Sequence, residues 1–294
     1  MLSLLKEFIP PICISKHKGE MGRLVVVGGS KEYTGAPYFS GISALHCGAD
    51  LVHIICADAA ANVIKTYSPD LIVHPDLWVL DTNLDEAKRW IDRMHAGVIG
   101  PGLGLGTNLE NATLLISYFI EKNKPFVVDA DGLSIITRYP HLIRGQKLVI
   151  LTPNVVEFKR LYTAVFGDSP GESVAETEKL AKALGGTTIV RKGPEDVVSD
   201  GDTTYLCKEP GSPRRCGGQG DLLSGAAMTF LNWFHQAHVG KGSLPFPVCG
   251  AAAFAACSLT RRCSSLAFAK YGRSMVTAHM LPEIQHAFQQ LFGV

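Results

Sequence analysis

Residues 214–223 read RRCGGQGDLL, with three glycines crowded against one aspartate. Glycine has no Cβ, so its backbone N–H groups can approach a ligand closely and its φ can be positive. The run that follows, LLSGAAMTFLNWF, has helical spacing. Gly217, Gly218 and Gly220 therefore sit on a loop that runs into a helix N-terminus. Free N–H groups and the positive end of the helix dipole meet there and favour an anion. Asp221 follows in the first turn. It can be an ordinary cap, or a base held beside a bound phosphate, and the rest of the chain must decide.

Other groups with chemical capacity lie at the ends of short apolar runs. GGS (28–30) follows RLVVV, GPGLGLG (100–106) follows GVI, and DADG (129–132) follows PFVV. TPN (152–154) follows KLVIL, and KGPED (192–196) follows TTIVR. One such exit is usually just a tight turn. Five of them bearing glycine, lysine and carboxylates exceed what folding alone needs. In an open parallel sheet, ligands bind beyond the C-terminal ends of the strands.

The elements that would position these groups are legible from hydrophobic periodicity. Strands are expected at 23–28, 51–56, 71–74, 97–100, 125–130, 147–152 and 187–192. Helical patterns separate them: APYFSGISALHCGA, DAAANVIKTY, EAKRWIDRM, NLENATLLISYFIEKN, VVEFKRLYTAVF and ESVAETEKLAKALGG. Almost wholly apolar strands alternating with helices imply an α/β fold, a mostly parallel sheet with helices on both faces in a three-layer αβα arrangement. DVVSDGDTTYLCKE, with its DG turn, reads as a hairpin. From about residue 219 onward only helices are expected, interrupted by a polar segment at 235–246. No repeat or linker divides the chain, so residues 1–294 are read as one domain.

Composition narrows the function classes. The 294 residues are 46% apolar and 19% charged, with net charge +1, which suits a large core and argues against nucleic acid as the main partner. The eight cysteines, Cys13, Cys47, Cys56, Cys207, Cys216, Cys249, Cys257 and Cys263, form no CxxC pair and read as reduced, mostly buried thiols. No apolar stretch reaches the ~18 residues that span a bilayer, so no membrane partner is expected. The first residues carry neither a cleavable signal nor an Arg-rich transit pattern. A cytoplasmic location is expected, and an upstream targeting segment would allow a mitochondrial form. GPGLGLG does not fit G-x-G-x-x-G, and P-loop and HExxH motifs are lacking. His46, His53 and His74 lie in or beside apolar runs and read as core or edge histidines rather than ligands.

A late GGQGD at a helix start, in a doubly wound α/β domain without a P-loop, resembles the ribokinase-like superfamily. Taken in order, GGSKEYTGAPYFSGISALHCGADLVHI, PGLG, VVDADGL, LTPNVVEF, RKGPED and RRCGGQGDLLSG are similar to one family within it, the ATP-dependent NAD(P)H-hydrate dehydratases. The resemblance runs from about residue 17 to the C-terminus.

That resemblance implies ATP-dependent dehydration of the S epimers of NADHX and NADPHX, giving ADP, phosphate and the normal reduced cofactor. It implies Asp221 as base and Gly217, Gly218 and Gly220 as anion cradle. Lys192, Gly193, Pro194, Glu195 and Asp196 correspond to a first ATP-binding segment. Gly211, Ser212, Pro213, Arg214, Arg215, Cys216 and Gln219 belong to the second. The hydrated cofactor is assigned to Gly102, Gly104, Ala36, Asn154, Val155, Val156, Glu157, Phe158, Lys159 and Arg160, with Asp221, and Tyr33 and Gly35 lie beside Ala36. Asn154 and Glu157 also read as a capping box. Asp129 and Asp131 either stabilise a turn or position Mg²⁺ or phosphate through water, Mg²⁺ being the expected cofactor with ATP; no metal ligand is assigned. Arg214 and Arg215 are either phosphate neighbours or a solvated pair. The wider superfamily leaves room for a homo-oligomer, with the small residues of the helix after GGSKEYTG as a self-association face. Two other readings stay open: a small-molecule kinase of the same fold acting on a sugar or vitamin-precursor alcohol, and a nucleotide-binding module without turnover.

Overall fold

The computed structural model describes residues 1–77, 84–104 and 106–293. Leu105, within the GPGLGLG segment, lies outside the described residues. In chain order the elements are α1 (Leu2–Leu5), β1 (Arg23–Val27), α2 (Gly35–Cys47), β2 (Leu51–Ile55), α3 (Asp58–Tyr67), β3 (Ile72–His74), α4 (Asp85–Asp92) and β4 (Ala96–Ile99). They continue with α5 (Thr107–Glu121), β5 (Phe126–Val128), α6 (Asp131–Arg138), β6 (Val149–Leu151), α7 (Val155–Phe166), α8 (Val174–Ala183) and β7 (Thr188–Arg191). The hairpin β8 (Asp196–Ser199) and β9 (Thr204–Cys207) follows, then α9 (Gln219–Lys241), α10 (Val248–Tyr271) and α11 (Ile284–Phe292).

The strands form one sheet in the order β3-β2-β1-β4-β5-β6-β7-β8-β9. All pairings from β3 to β7 are parallel, and β8 joins β7 and β9 antiparallel. Side chains alternate across a strand, and two cores result. Leu24, Val26, Val52, Ile54 and Val98 face a core shared with α2, α3, α9, α10 and α11. Val25, Val27, Ile55 and Ile99 face a second core under α4 to α8. This three-layer arrangement needs strands that are apolar on both faces, which is why they read as unbroken Val/Ile runs. No helix among the described residues is long and apolar enough to cross a membrane.

Three expectations change. DGLSIITR forms α6, so Asp131 begins a helix rather than lying in a turn. The polar segment at 235–246 is no connection over its first half, because α9 runs on to Lys241 before Gly242 ends it at φ 84°. The small residues of α2 are covered within the chain. A Cβ at Gly225 of α9 would stand 2.0 Å from the Ser40 carbonyl oxygen, and the Ser40 and Ser224 hydroxyls hydrogen-bond at 3.1 Å. That packing consumes the face read as free for a second copy. His53 and His74 are buried, hydrogen-bonded at 2.8 Å and stacked on each other, with His74 also stacked on Trp90, as core histidines should be, whereas His46 is exposed.

Candidate active site

Two parts of the molecule meet at the C-terminal edge of the sheet. The first is the point where strand order reverses, between β1 and β4. Here backbone packs on backbone. Gly29 N–H donates to the Pro101 carbonyl at 3.0 Å, and a Cβ at Gly28 would lie 2.1 Å from the same oxygen. Gly100, at φ 133°, leaves no room either, since its Cβ would stand 1.7 Å from the Asp129 carbonyl oxygen. Gly102 rests against Tyr33 and Ala36, and the Gly104 N–H donates to Asp131 Oδ2 at 2.9 Å. Three strand exits are thus locked into one wall. Asp131 has a definite task there: it holds the GPGLGLG loop.

The second part collects charge. Asp129, 1% exposed, accepts from Thr152 Oγ1 at 2.7 Å and from Lys192 Nζ at 3.2 Å, both on Oδ1. Burial works against the Lys192 charge, but Asp129, Glu157 and Asp221 around it outweigh that and hold it above the usual lysine range. Glu157 completes the capping box of α7: it accepts from Asn154 N–H at 2.8 Å, while Asn154 Oδ1 accepts from Val156 and Glu157 N–H. Burial raises its pKa, and Lys192 draws it back part of the way.

The glycine loop enters α9 one turn earlier than its apolar run indicates. Gly218, at φ 93°, is the N-cap, and Gln219, Gly220 and Asp221 are the first three helical residues. Gly220 is therefore in the helix rather than on the loop. A Cβ at Gly217 would meet nothing within 4 Å, and at Gly220 its nearest neighbour would be Lys192 Nζ at 3.4 Å. These glycines face open space beside a cation, not packed backbone. Asp221 stands in the first turn, where the helix dipole favours its ionised form. Burial nevertheless dominates, Asp129 adds repulsion, and Lys192 only partly offsets them, so its pKa is pushed up to about 7. A helix cap has no use for such a carboxyl, whereas a base working near neutrality does.

Beside this cluster opens a cleft of about 690 Å³. Asn154, Val155 and Val156 line it from α7, and Lys192, Gly193, Pro194 and Asp196 from the exit of β7. Gly211, Arg215, Gln219 and Gly220 close it from the cradle side. Asp221 does not line this space itself; it lies one residue inward, among Asp129, Asp131 and Lys192.

The remaining expected residues fall elsewhere. Phe158, 2% exposed, belongs to the core under α7, and Lys159 and Arg160 point outward from that helix. Glu195 and Pro213 are exposed. Ser212 is buried and donates to the Arg214 carbonyl at 3.0 Å. The two arginines divide: Arg215 lines the cleft, whereas Arg214 donates to the Met275 carbonyl at 3.4 Å. Cys216 faces Thr277 Oγ1 at 3.6 Å.

Sequence reasoning missed the contribution of α10. Arg261 donates from Nε to Asp196 Oδ2 at 2.6 Å, from Nη1 to the Pro194 carbonyl at 2.8 Å and from Nη2 to the Gly193 carbonyl at 2.7 Å. Asp196 Oδ1 accepts from the Gly193 N–H at 3.0 Å. The guanidinium fork thus fixes the whole KGPED turn against the cleft. Leu223, Cys257, Thr260 and Ser264 add to the same wall. Nothing in the stretch SLTRRC separates Arg261 from Arg262, which pairs instead with Glu209.

A glycine-capped helix start, a buried Lys–Asp pair and a carboxyl poised near neutrality stand together at the edge of a doubly wound sheet, a set of groups suited to phosphoryl transfer on a ribokinase-like fold. Among solved structures the chain resembles an ADP/ATP-dependent NAD(P)H-hydrate dehydratase from Bacillus subtilis, co-crystallised with ATP and Mg²⁺. The TM-score is 0.74 at 20% identity, over 99% of this chain and 97% of that one. It also resembles a ribokinase from Thermotoga maritima, with a TM-score of 0.60 at 12% identity, over 91% of this chain and 99% of that one. These likenesses establish the fold. The family model for NAD(P)H-hydrate dehydratase matches residues 24–286. Proteins named ATP-dependent (S)-NAD(P)H-hydrate dehydratase from Homo sapiens and Nematostella vectensis are each 48% identical to it, covering 99% and 100% of this chain and 84% and 82% of theirs. The chain belongs to the NAD(P)H-hydrate dehydratase family.

Proposed function

We propose that this protein is a hydro-lyase that converts the S epimers of hydrated NADH and NADPH back to NADH and NADPH, with ATP going to ADP and phosphate. The observation that carries the reading is the Asp221 carboxyl, pushed up to about 7, beside an open glycine cradle and Lys192. Hydroxide is a poor leaving group and a phosphate ester a good one. Asp221 takes the proton of the 6-hydroxyl as that oxygen attacks the γ-phosphorus of ATP, and the bond to ADP breaks. N–H groups of the 217–220 loop and the start of α9 stabilise the charge gathering on the phosphoryl oxygens. The ring nitrogen lone pair then helps expel phosphate from C6. Loss of a proton from C5 restores the double bond.

ATP is assigned to the cleft walled by the Lys192–Asp196 turn and residues 211–219, the nicotinamide to the wall built from Ala36, Gly102 and Gly104, with Asn154 and Glu157 between. Among the described residues no three His, Cys, Asp or Glu side chains converge as a metal cage. The oxygen-rich surroundings of Asp129, Asp131 and Glu157 suit Mg²⁺ that keeps most of its waters. When bound with ATP, Mg²⁺ supplies neutralisation of phosphate charge. The deciding experiment follows reduced-nicotinamide absorbance after hydrated NADH is mixed with enzyme and ATP, ADP or no nucleotide. A rise with ATP, for the S epimer only, is expected. Release of ADP without that rise would mean that the phosphate stays on the product, as in a kinase.

A further inference from the structure

Thr277 lies sixty residues beyond the cradle in sequence and was no part of any motif. It is 1% exposed and opens the short 3₁₀ turn Thr277–His279. Its Oγ1 donates to the Gly217 carbonyl at 2.6 Å. A Cβ at Gly218 would stand 3.0 Å from both Thr277 Cβ and Thr277 Oγ1, so the cradle rests directly on this side chain. The support is itself rigid: Met275 and Met280 on either side are fully buried, and His279 stacks on Tyr271 with ring centres 3.9 Å apart. A second tie runs in parallel, from Arg214 to the Met275 carbonyl.

In a trans peptide the C=O of one residue and the N–H of the next lie in one plane and point in opposite directions. All peptide bonds described here are trans. Holding the Gly217 carbonyl therefore aims the Gly218 N–H away from the 275–280 segment. A glycine pair is the place where such a tie is most needed, because its dihedrals are the freest in the chain. We propose that Thr277 is a positioning residue for the anion cradle: its hydroxyl fixes the Gly217–Gly218 peptide so that the Gly218 N–H is presented to the transferring phosphoryl group. This rests on the reading of residues 217–220 as the phosphoryl site.

Thr277→Val keeps the shape and removes the hydroxyl; Thr277→Ser keeps the hydroxyl and removes a methyl. A tie that acts on the transition state is expected to cost Thr277→Val about tenfold in kcat, equivalent to about 1.4 kcal/mol. KM for the hydrated nicotinamide should stay within about twofold, and Thr277→Ser should keep kcat within about threefold of the parent. A second measurement does not depend on the alcohol substrate. Affinity for ADP with aluminium fluoride, a mimic of the phosphoryl group in flight, should fall about tenfold in Thr277→Val, with affinity for ADP alone unchanged. If Thr277→Val does not accumulate folded, Thr277→Ala carries the same comparison. The proposal is overturned if kcat per folded molecule survives loss of the hydroxyl while only Tm falls, or if Thr277→Ser loses as much as Thr277→Val. Failure of the parent enzyme to restore NADH would instead sink the dehydratase reading, and the aluminium fluoride titration would still decide the role of Thr277.

Discussion

Two glycine clusters meet at the top of the sheet, and glycine serves a different end in each. At the strand-order reversal, Gly28, Gly100 and Gly132 exist because other backbone atoms occupy the space of a side chain: their Cβ atoms would fall 2.1, 1.7 and 2.6 Å from carbonyl oxygens. In the cradle, Gly217 has nothing within 4 Å and Gly220 meets only the side-chain tips of Lys192 and Asp129, at 3.4 and 3.8 Å, while Gly218 is backed by Thr277 and Phe39. The first cluster is closed by packing and holds a wall in place. The second is open, so its space is free for something outside the chain. A residue type that marks a binding loop in one place marks a buried joint in the other, and only the neighbouring atoms tell them apart.

This contrast can be tested by substitution. The largest expected effect is on chemistry: Asp221→Ala should lower kcat by roughly 10²–10⁴-fold, the range for loss of a general base, with Tm preserved. Steady-state turnover of hydrated NADH with ATP is the measurement, and a loss of only a few-fold would remove Asp221 from the role of base. Next comes Gly100→Ala, which forces a Cβ into the Asp129 carbonyl at a left-handed φ. Several kcal/mol of lost stability is expected, read as a drop in Tm of more than about 10 °C.

Smaller effects sharpen the picture on the cradle side. Arg261→Met leaves Asp196 buried without its partner and frees the 193–196 turn. KM for ATP should rise about tenfold while kcat falls less, and Arg261→Lys should recover only part, because an ammonium cannot replace the guanidinium fork. Gly217→Ala is the counterpart of Gly100→Ala. Tm should stay within about 2 °C while kcat falls a few-fold, because the new methyl intrudes on ligand space rather than on protein.

The smallest effect is set by protons. An Asp whose folded pKa exceeds its unfolded value of about 3.9 weakens the fold only while ionised. For Asp221 that cost is absent below about pH 4, grows as pH rises, and is complete above about 7. Asp221→Asn should therefore match the parent in Tm at low pH and exceed it at pH 8. In the parent enzyme kcat/KM should rise with pH through about 7 as the base ionises. A flat profile there would mean that a different group takes the proton.

Much of this was legible before any coordinates. The apolar runs at 23–28, 51–56 and 97–100 lie on β1, β2 and β4 because strands buried on both faces need unbroken Val and Ile. Asn154 and Glu157 form the capping box that their spacing indicates. Helix α6 was not legible, because DGLSIITR is short and shares its start with the DADG turn. Phe158 matched a substrate-side motif, yet the helical period turns it into the core while Asn154, Val155 and Val156 face the cleft. Arg261 and Thr277 carry no local signal at all, since each works on a segment sixty or more residues away.

What the sequence by itself determined is the order of the elements and the kinds of groups at their ends. Hydrophobic period, caps and glycine freedom are local properties, readable within a few residues. What only the tertiary structure decided is which of those groups stand together: Asp129 against Lys192, Arg261 beneath the 193–196 turn, Thr277 behind Gly217. The physical reason is range. Hydrogen bonds, close backbone packing and a carboxyl pKa near 7 depend on atoms a few ångströms apart, and those atoms are brought together by chain crossings that no local pattern encodes.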